Sequence, residues 1–174
     1  ADRLGRELIK PQYETVPELS KGLYWVNAGG KKGLDGSVVG GHWGLVNSSG
    51  HELIKPLYND IQKESRGVYK VNLGGKTEDI YGKIVGGKWG LLDSLGKELI
   101  KHLYSDIQRV SKGKYRVQVG GEPKGYGRTV GGQWGLLDSL GNVLIKPQYD
   151  ALYYTSNGLY KVQVDSKPSN DGSG

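Results

Sequence analysis

Three groups of side chains in this sequence have the types and spacing to do chemistry: histidines, recurring turn acids and regularly placed tryptophans. His42, His51 and His102 are the only imidazoles, where a general base or a metal ligand would be sought first. They occupy three unmatched places in a repeating pattern, where other copies carry Lys, Gln, Asn or Pro, so they read as surface variation. Asp93 and Asp138 are paired by spacing, but Asn47 stands at the same place. A position that takes an amide as readily as a carboxylate serves a turn and not proton transfer. No Asp-x-Asp-x-Asp-Gly loop suggests calcium, and the Gly-Gly pairs do not form Gly-x-Gly-x-x-Gly ahead of a helix. The sequence therefore predicts no catalytic residue, no metal site and no cofactor.

Trp43, Trp89 and Trp134 are each followed by Gly and then Leu. Such rings could stack on sugars. A tryptophan repeated at one strand position beside glycine is more often a packing residue against which another backbone lies close, and that reading is preferred. The fourth tryptophan, Trp25, sits where the other copies carry Lys70, Arg116 and Lys161. Alternation with Tyr and Val puts this column on the solvent side of a strand. An outward-facing indole is a candidate contact for a partner, a second copy or a glycan.

These positions are set by an internal repeat. Leu-Ile-Lys returns at Leu8, Leu53, Leu99 and Leu144, at intervals of 45, 46 and 45 residues, followed each time by Tyr13, Tyr58, Tyr104 or Tyr149. Gly-x-Tyr-x-Val follows at Gly22, Gly67, Gly113 and Gly158. Gly-Gly-x-Trp-Gly-Leu occurs three times, beginning at Gly40, Gly86 and Gly131. Asx-to-Gly turns at Asp2–Gly5, Asn47–Gly50, Asp93–Gly96 and Asp138–Gly141 predict hairpin tips. Pro11, Pro56 and Pro147 predict strands that end or lie at an edge. The Gly-Gly pairs predict two-residue hairpins with positive φ. Nothing has a helical period over the length a helix needs.

The unit Lys88–Ile107 followed by Gly113–Val117, with its counterparts, resembles the bacterial Trp-Gly (WG) repeat proteins across nearly the whole chain. The resemblance implies a building block with no assigned catalytic residues. The glycine-rich insert between Gly-x-Tyr-x-Val and Trp-Gly is longer than that pattern leads one to expect.

The expected fold is all-β: a tandem repeat of short antiparallel strands and hairpins, propeller-like with four units, the alternative being an open superhelical β-hairpin array. A single domain is expected over residues 1–165, with units at about 1–42, 43–88, 89–133 and 134–165, and residues 166–174 read as a flexible C-terminal tail. The chain has 174 residues, 30 Gly, 12 Tyr, 4 Trp and no Cys, Met or Phe, which excludes disulfides and thiolate chemistry. Its +6 charge is spread singly along the repeats, so nucleic acid is not expected. No run has the length and apolarity of a transmembrane segment. A start at Ala1 fits removal of a leader, giving an extracellular or cell-envelope location with a cytoplasmic one as the alternative. The expected function is a non-enzymatic structural or protein-interaction scaffold, as a subunit of a larger envelope or extracellular assembly. Its partner would be another protein or a second copy. A carbohydrate-binding module using Trp43, Trp89 and Trp134 is the alternative.

Overall fold

The computed structural model describes residues 12–33, 35–77, 84–124 and 128–164. Among these there is no helix, and all strand pairing is antiparallel. The strands fall in chain order as β1 (Glu18–Ser20), β2 (Leu23–Ala28), β3 (Lys31–Lys32), β4 (Val38–Val39), β5 (His42–Asn47) and β6 (Glu52–Tyr58). The second set is β7 (Asp60–Ser65), β8 (Val68–Leu73), β9 (Lys76–Thr77), β10 (Ile84–Val85), β11 (Lys88–Asp93) and β12 (Glu98–Tyr104). The third is β13 (Asp106–Ser111), β14 (Lys114–Val119), β15 (Glu122–Lys124), β16 (Arg128–Val130), β17 (Gln133–Asp138) and β18 (Val143–Tyr149), before a last hairpin of β19 (Ala151–Tyr154) and β20 (Tyr160–Gln163).

Three four-stranded sheets share one order, β1-β2-β5-β6, β7-β8-β11-β12 and β13-β14-β17-β18. Each sheet takes two strands from one sequence unit and two from the next, so the sheets are offset from units divided at the tryptophans. The edge position explains the prolines. Pro56 and Pro147 lie within β6 and β18, each at the end of its sheet's strand order, where a missing N–H costs least.

The glycine after each tryptophan has a steric cause. Register shifts between Trp89 and Leu91, and again between Leu91 and Leu92, bring the edge strand across the bulge. A Cβ on Gly44 would lie 2.6 Å from the Ile54 carbonyl oxygen and 2.8 Å from the Pro56 nitrogen, and Gly135 faces the same obstruction from Ile145 and Pro147. The expected tips form as well. Asp93 Oδ1 accepts from the Leu95 and Lys97 amides at 2.8 and 2.9 Å, and Gly96 closes the turn with φ +78°. A Cβ there would also meet the Leu53 carbonyl oxygen of the preceding sheet at 2.6 Å, so the tip is docked between units.

The core lies between sheets and not within any one of them. Leu45 and Ile54 of the first sheet pack on Ile61, Tyr69, Val71 and Leu92 of the second, with Trp25 and Trp43 against them. Leu91 and Ile100 of the second sheet pack on Ile107, Tyr115, Val117 and Leu137 of the third, with Trp89 alongside. Successive sheets are thus stacked in tandem by one repeated apolar interface. Ring closure, favoured by the repeat count, would involve residues 1–11, which lie outside the described residues. So do the Asp2–Gly5 turn and the tail from residue 166. The described sheets form a sequential stack of the kind an open repeat array has.

Candidate functional site

The column holding Trp25, Lys70, Arg116 and Lys161 is not simply solvent-facing, and this corrects the expectation from alternation. At its first three members it reaches across the junction to the next unit. Lys70 Nζ pairs with Asp106 Oδ1 at 3.0 Å, donates to the Ile107 carbonyl at 2.6 Å and stands 4.4 Å from the centre of the Trp89 ring. Arg116 bonds to Gln108 within its own sheet, donates to the Leu152 carbonyl at 2.8 Å and lies 4.7 Å from the Trp134 ring. Trp25 is half-buried, edge-on to Tyr69 at 5.7 Å. Only Lys161 is exposed. The facing strand explains the error: a residue outside its own sheet's core is inside the interface with the next.

This placement bears on the sugar-stacking alternative. Trp89 and Trp134 each have a cation against the ring, and Trp43 packs into the first core cluster opposite Tyr58. All three are half-buried at sheet junctions.

The first junction differs from the second in one pairing. Asp60 occupies the position of Asp106, but the column opposite supplies Trp25 and not a lysine. Burial holds the Asp60 carboxyl above the usual carboxylate range, against the lowering effect of the Gln62 amide, which donates to it at 2.6 Å. A carboxyl raised in the folded state contributes stability that is present below its unfolded value of about 4 and is lost as pH rises through the folded value. Trp25→Lys is expected to lower the Asp60 pKa in an NMR titration while removing about 1–2 kcal/mol of apolar packing. An unshifted Asp60 would show that the two positions do not meet.

A second recurring device holds the inserts. Asn27 is buried; its Nδ2 donates to the Gly40 carbonyl at 3.0 Å and its Oδ1 accepts from the Gly30 amide at 3.1 Å. Asn72 repeats both bonds with Gly86 and Gly75, and Gln118 donates to the Gly131 carbonyl. The Gly-Gly pairs do have positive φ, for example +70° and +71° at Gly86 and Gly87, but they are not hairpin tips. The strands flanking each pair are not partners of each other. They continue one long hairpin past a kink, and the buried amide ties its two arms together. Beyond the kink the first three units each carry a small hairpin, β3–β4, β9–β10 and β15–β16. This amide column was legible in the sequence as Asn27, Asn72, Gln118 and Gln163.

The hairpins stand beside inter-unit clefts. A cleft of about 390 Å³ lies between Gly86–Gly87 of one connector and Pro123 and Thr129 of the next hairpin. A second, of about 420 Å³, lies between Thr129, Gly131 and the start of β19.

The turn residues have structural partners. Asp138 Oδ1 accepts from the Leu140 and Asn142 amides at 2.8 and 2.9 Å, and bonds to the side chain and backbone of Asn142 hold its carboxyl below the usual range. Asn47 caps its turn the same way. His42 and His51 are exposed. His102 departs from the surface-variation reading: it stacks on Tyr58 at 5.5 Å, and its Nδ1 lies 2.7 Å from Glu98 Oε1. It is a packing substitute for the proline of the other units.

A family model described as WG containing repeat matches residues 1–31, 43–76, 89–122 and 134–167. No curated protein and no solved structure matches the chain.

Proposed function

The chain belongs to the WG-containing repeat family, and on that basis we propose that it is a non-enzymatic scaffold that binds a protein partner, or further copies of itself, through the hairpins inserted into its units. The observation that carries this reading is the division between repeated and unrepeated residues. Tyr, Val, Trp, Gly, Leu and Ile recur, and they build the sheets and the interfaces between them. The recurring polar groups cap turns, clasp the glycine kinks or bridge units. The inserts vary more than the strands do: Lys31–Val39 matches Glu122–Val130 only at Gly36 and the final valine, while the second and third inserts share Tyr-Gly, a cation and a final valine at residues 81–85 and 126–130. In repeat proteins, insertions placed equivalently in each unit map to one face, which is often the binding face. Pro123 lies 4.0 Å from the place a Gly86 Cβ would occupy, so consecutive inserts and connectors adjoin.

Replacing Lys31–Val39 and Glu122–Val130 each by Asn-Gly, a two-residue turn that suits a hairpin, tests this. The Asn27 and Gln118 clasps remain, so the strand-rich circular dichroism spectrum is expected to persist. The higher-mass species that the parent forms with itself or its partner is expected to disappear from light scattering. Assembly undiminished by both replacements would contradict the reading.

A further inference from the structure

We propose that the last hairpin binds an extended segment of another polypeptide, of the pattern Trp-Gly-Leu-Leu-Asp, by pairing it along Tyr160–Val162 of β20. This surface is separate from the inserted hairpins of the scaffold reading. In the first three sheets the Gly-x-Tyr-x-Val strand lies between two neighbours: β2 between β1 and β5, β8 between β7 and β11, and β14 between β13 and β17. The second neighbour always carries Trp-Gly-Leu or its variant Trp-Gly-Leu-Val. The fourth such strand, β20, pairs among the described residues with β19 alone. Within those residues its other edge is open to one more strand, the geometry by which a sheet takes up an extended peptide.

The two core clusters name the strand that fits. Each joins a Leu and an Ile of one sheet to an Ile, a Tyr and a Val of the following hairpin, and is closed by Leu92 or Leu137 from the Trp-Gly strand beside that hairpin. At the last junction five of the six have counterparts, Leu136 and Ile145 in the third sheet and Leu152, Tyr160 and Val162 in the last hairpin. The closing leucine has none among the described residues. Trp43, Trp89 and Trp134 already lie on strands inside sheets, residues 1–11 hold Leu-Ile-Lys but no Trp-Gly, and residues 165–174 hold no aromatic, leucine, isoleucine or valine. Burial marks the same gap. Val71 and Val117 are 0% exposed and Val162 is 40% exposed; Ile54 and Ile100 are buried, while Ile145 is half-buried. Leu53 and Leu99 are half-buried, and Leu144 is 48% exposed. Leu152 is buried as Ile61 and Ile107 are, so the hairpin is seated on the third sheet and the opening is confined to the place of the absent strand. The register of the other sheets carries over. There the Tyr faces Val46, Leu92 or Leu137 and the Val faces the glycine after tryptophan, so Tyr160 would face the second leucine of the segment and Val162 its glycine.

The test titrates the whole chain into a fluorescently labelled peptide with the sequence of residues 131–149, which holds a Trp-Gly strand, its turn and the Leu-Ile-Lys strand after it, and reads anisotropy. Saturable binding is expected. Leu137→Glu in the peptide and, separately, Val162→Glu in the chain are each expected to weaken it by at least about tenfold, because each puts an unpaired charge into the closing cluster. Val162 is partly exposed, so Val162→Glu should keep the strand-rich circular dichroism spectrum, and Val162→Ile, which keeps the apolar face, should bind as the parent does. Replacing the inserted hairpins by Asn-Gly should leave peptide binding unchanged. No binding at about 100 μM peptide, equal binding of the Leu137→Glu peptide, or full affinity in a folded Val162→Glu chain would each overturn the proposal, and none of these outcomes bears on assembly through the inserts.

Discussion

Gly44→Ala is expected to destabilise the fold by about 3 kcal/mol, the upper part of the range for forcing extra atoms into a packed interior. The added methyl would meet three backbone atoms, the Ile54 carbonyl oxygen at 2.6 Å, the Pro56 nitrogen at 2.8 Å and the Pro56 Cα at 2.9 Å. Backbone on an edge strand held by a bulged register cannot step aside as a flexible side chain would. Gly29 is the control: it has φ +76° and open space around its Cβ position, so Gly29→Ala should cost only about 1 kcal/mol. Urea denaturation of both variants separates steric from conformational cost. Equal losses would mean that the close approach of β6 does not explain the glycine after tryptophan.

Trp89→Ala is expected to cost about 3 kcal/mol, the low end for a large aromatic because the ring is only half-buried. The loss has two sources. The indole packs against the cluster of Leu91, Ile100, Ile107, Tyr115, Val117 and Leu137, and it carries Lys70 on its face while that lysine bridges to Asp106. Removing it should therefore loosen the junction between the second and third sheets more than either sheet alone. Hydrogen exchange should speed up in β13 and β14 as well as in β11. A variant as stable as the parent but deficient in sugar binding would instead return the repeated tryptophans to a ligand role.

The repeat exposed most of this fold to reading from the sequence. Leu-Ile-Lys, Gly-x-Tyr-x-Val and Trp-Gly-Leu are strands because their periods are short and their ends are marked by Asx-to-Gly turns, and those are local properties. What alternation could not supply was the second surface. It assigns Lys70 and Arg116 to the side away from their own sheet's core, correctly, but a stacked sheet has a neighbour on that side as well. The Gly-Gly pairs were misread for a related reason. Two positive-φ glycines fit a hairpin tip or a kink equally well, and only the buried amides of Asn27 and Asn72 select the kink.

The scaffold reading is tested most directly by site-specific photo-crosslinking in the native host. A photoreactive residue at Lys32 or Lys124, both exposed on inserted hairpins, is compared with one at Lys55 or Lys101, exposed on the edge strands. The account predicts a discrete covalent adduct, to a partner protein or to a second copy of the chain, from the hairpin positions and little or none from the edge strands. Adducts formed only through Lys55 and Lys101 would contradict it, because the binding face would then be the edge strands and the variable hairpins would be ornament on the wrong side.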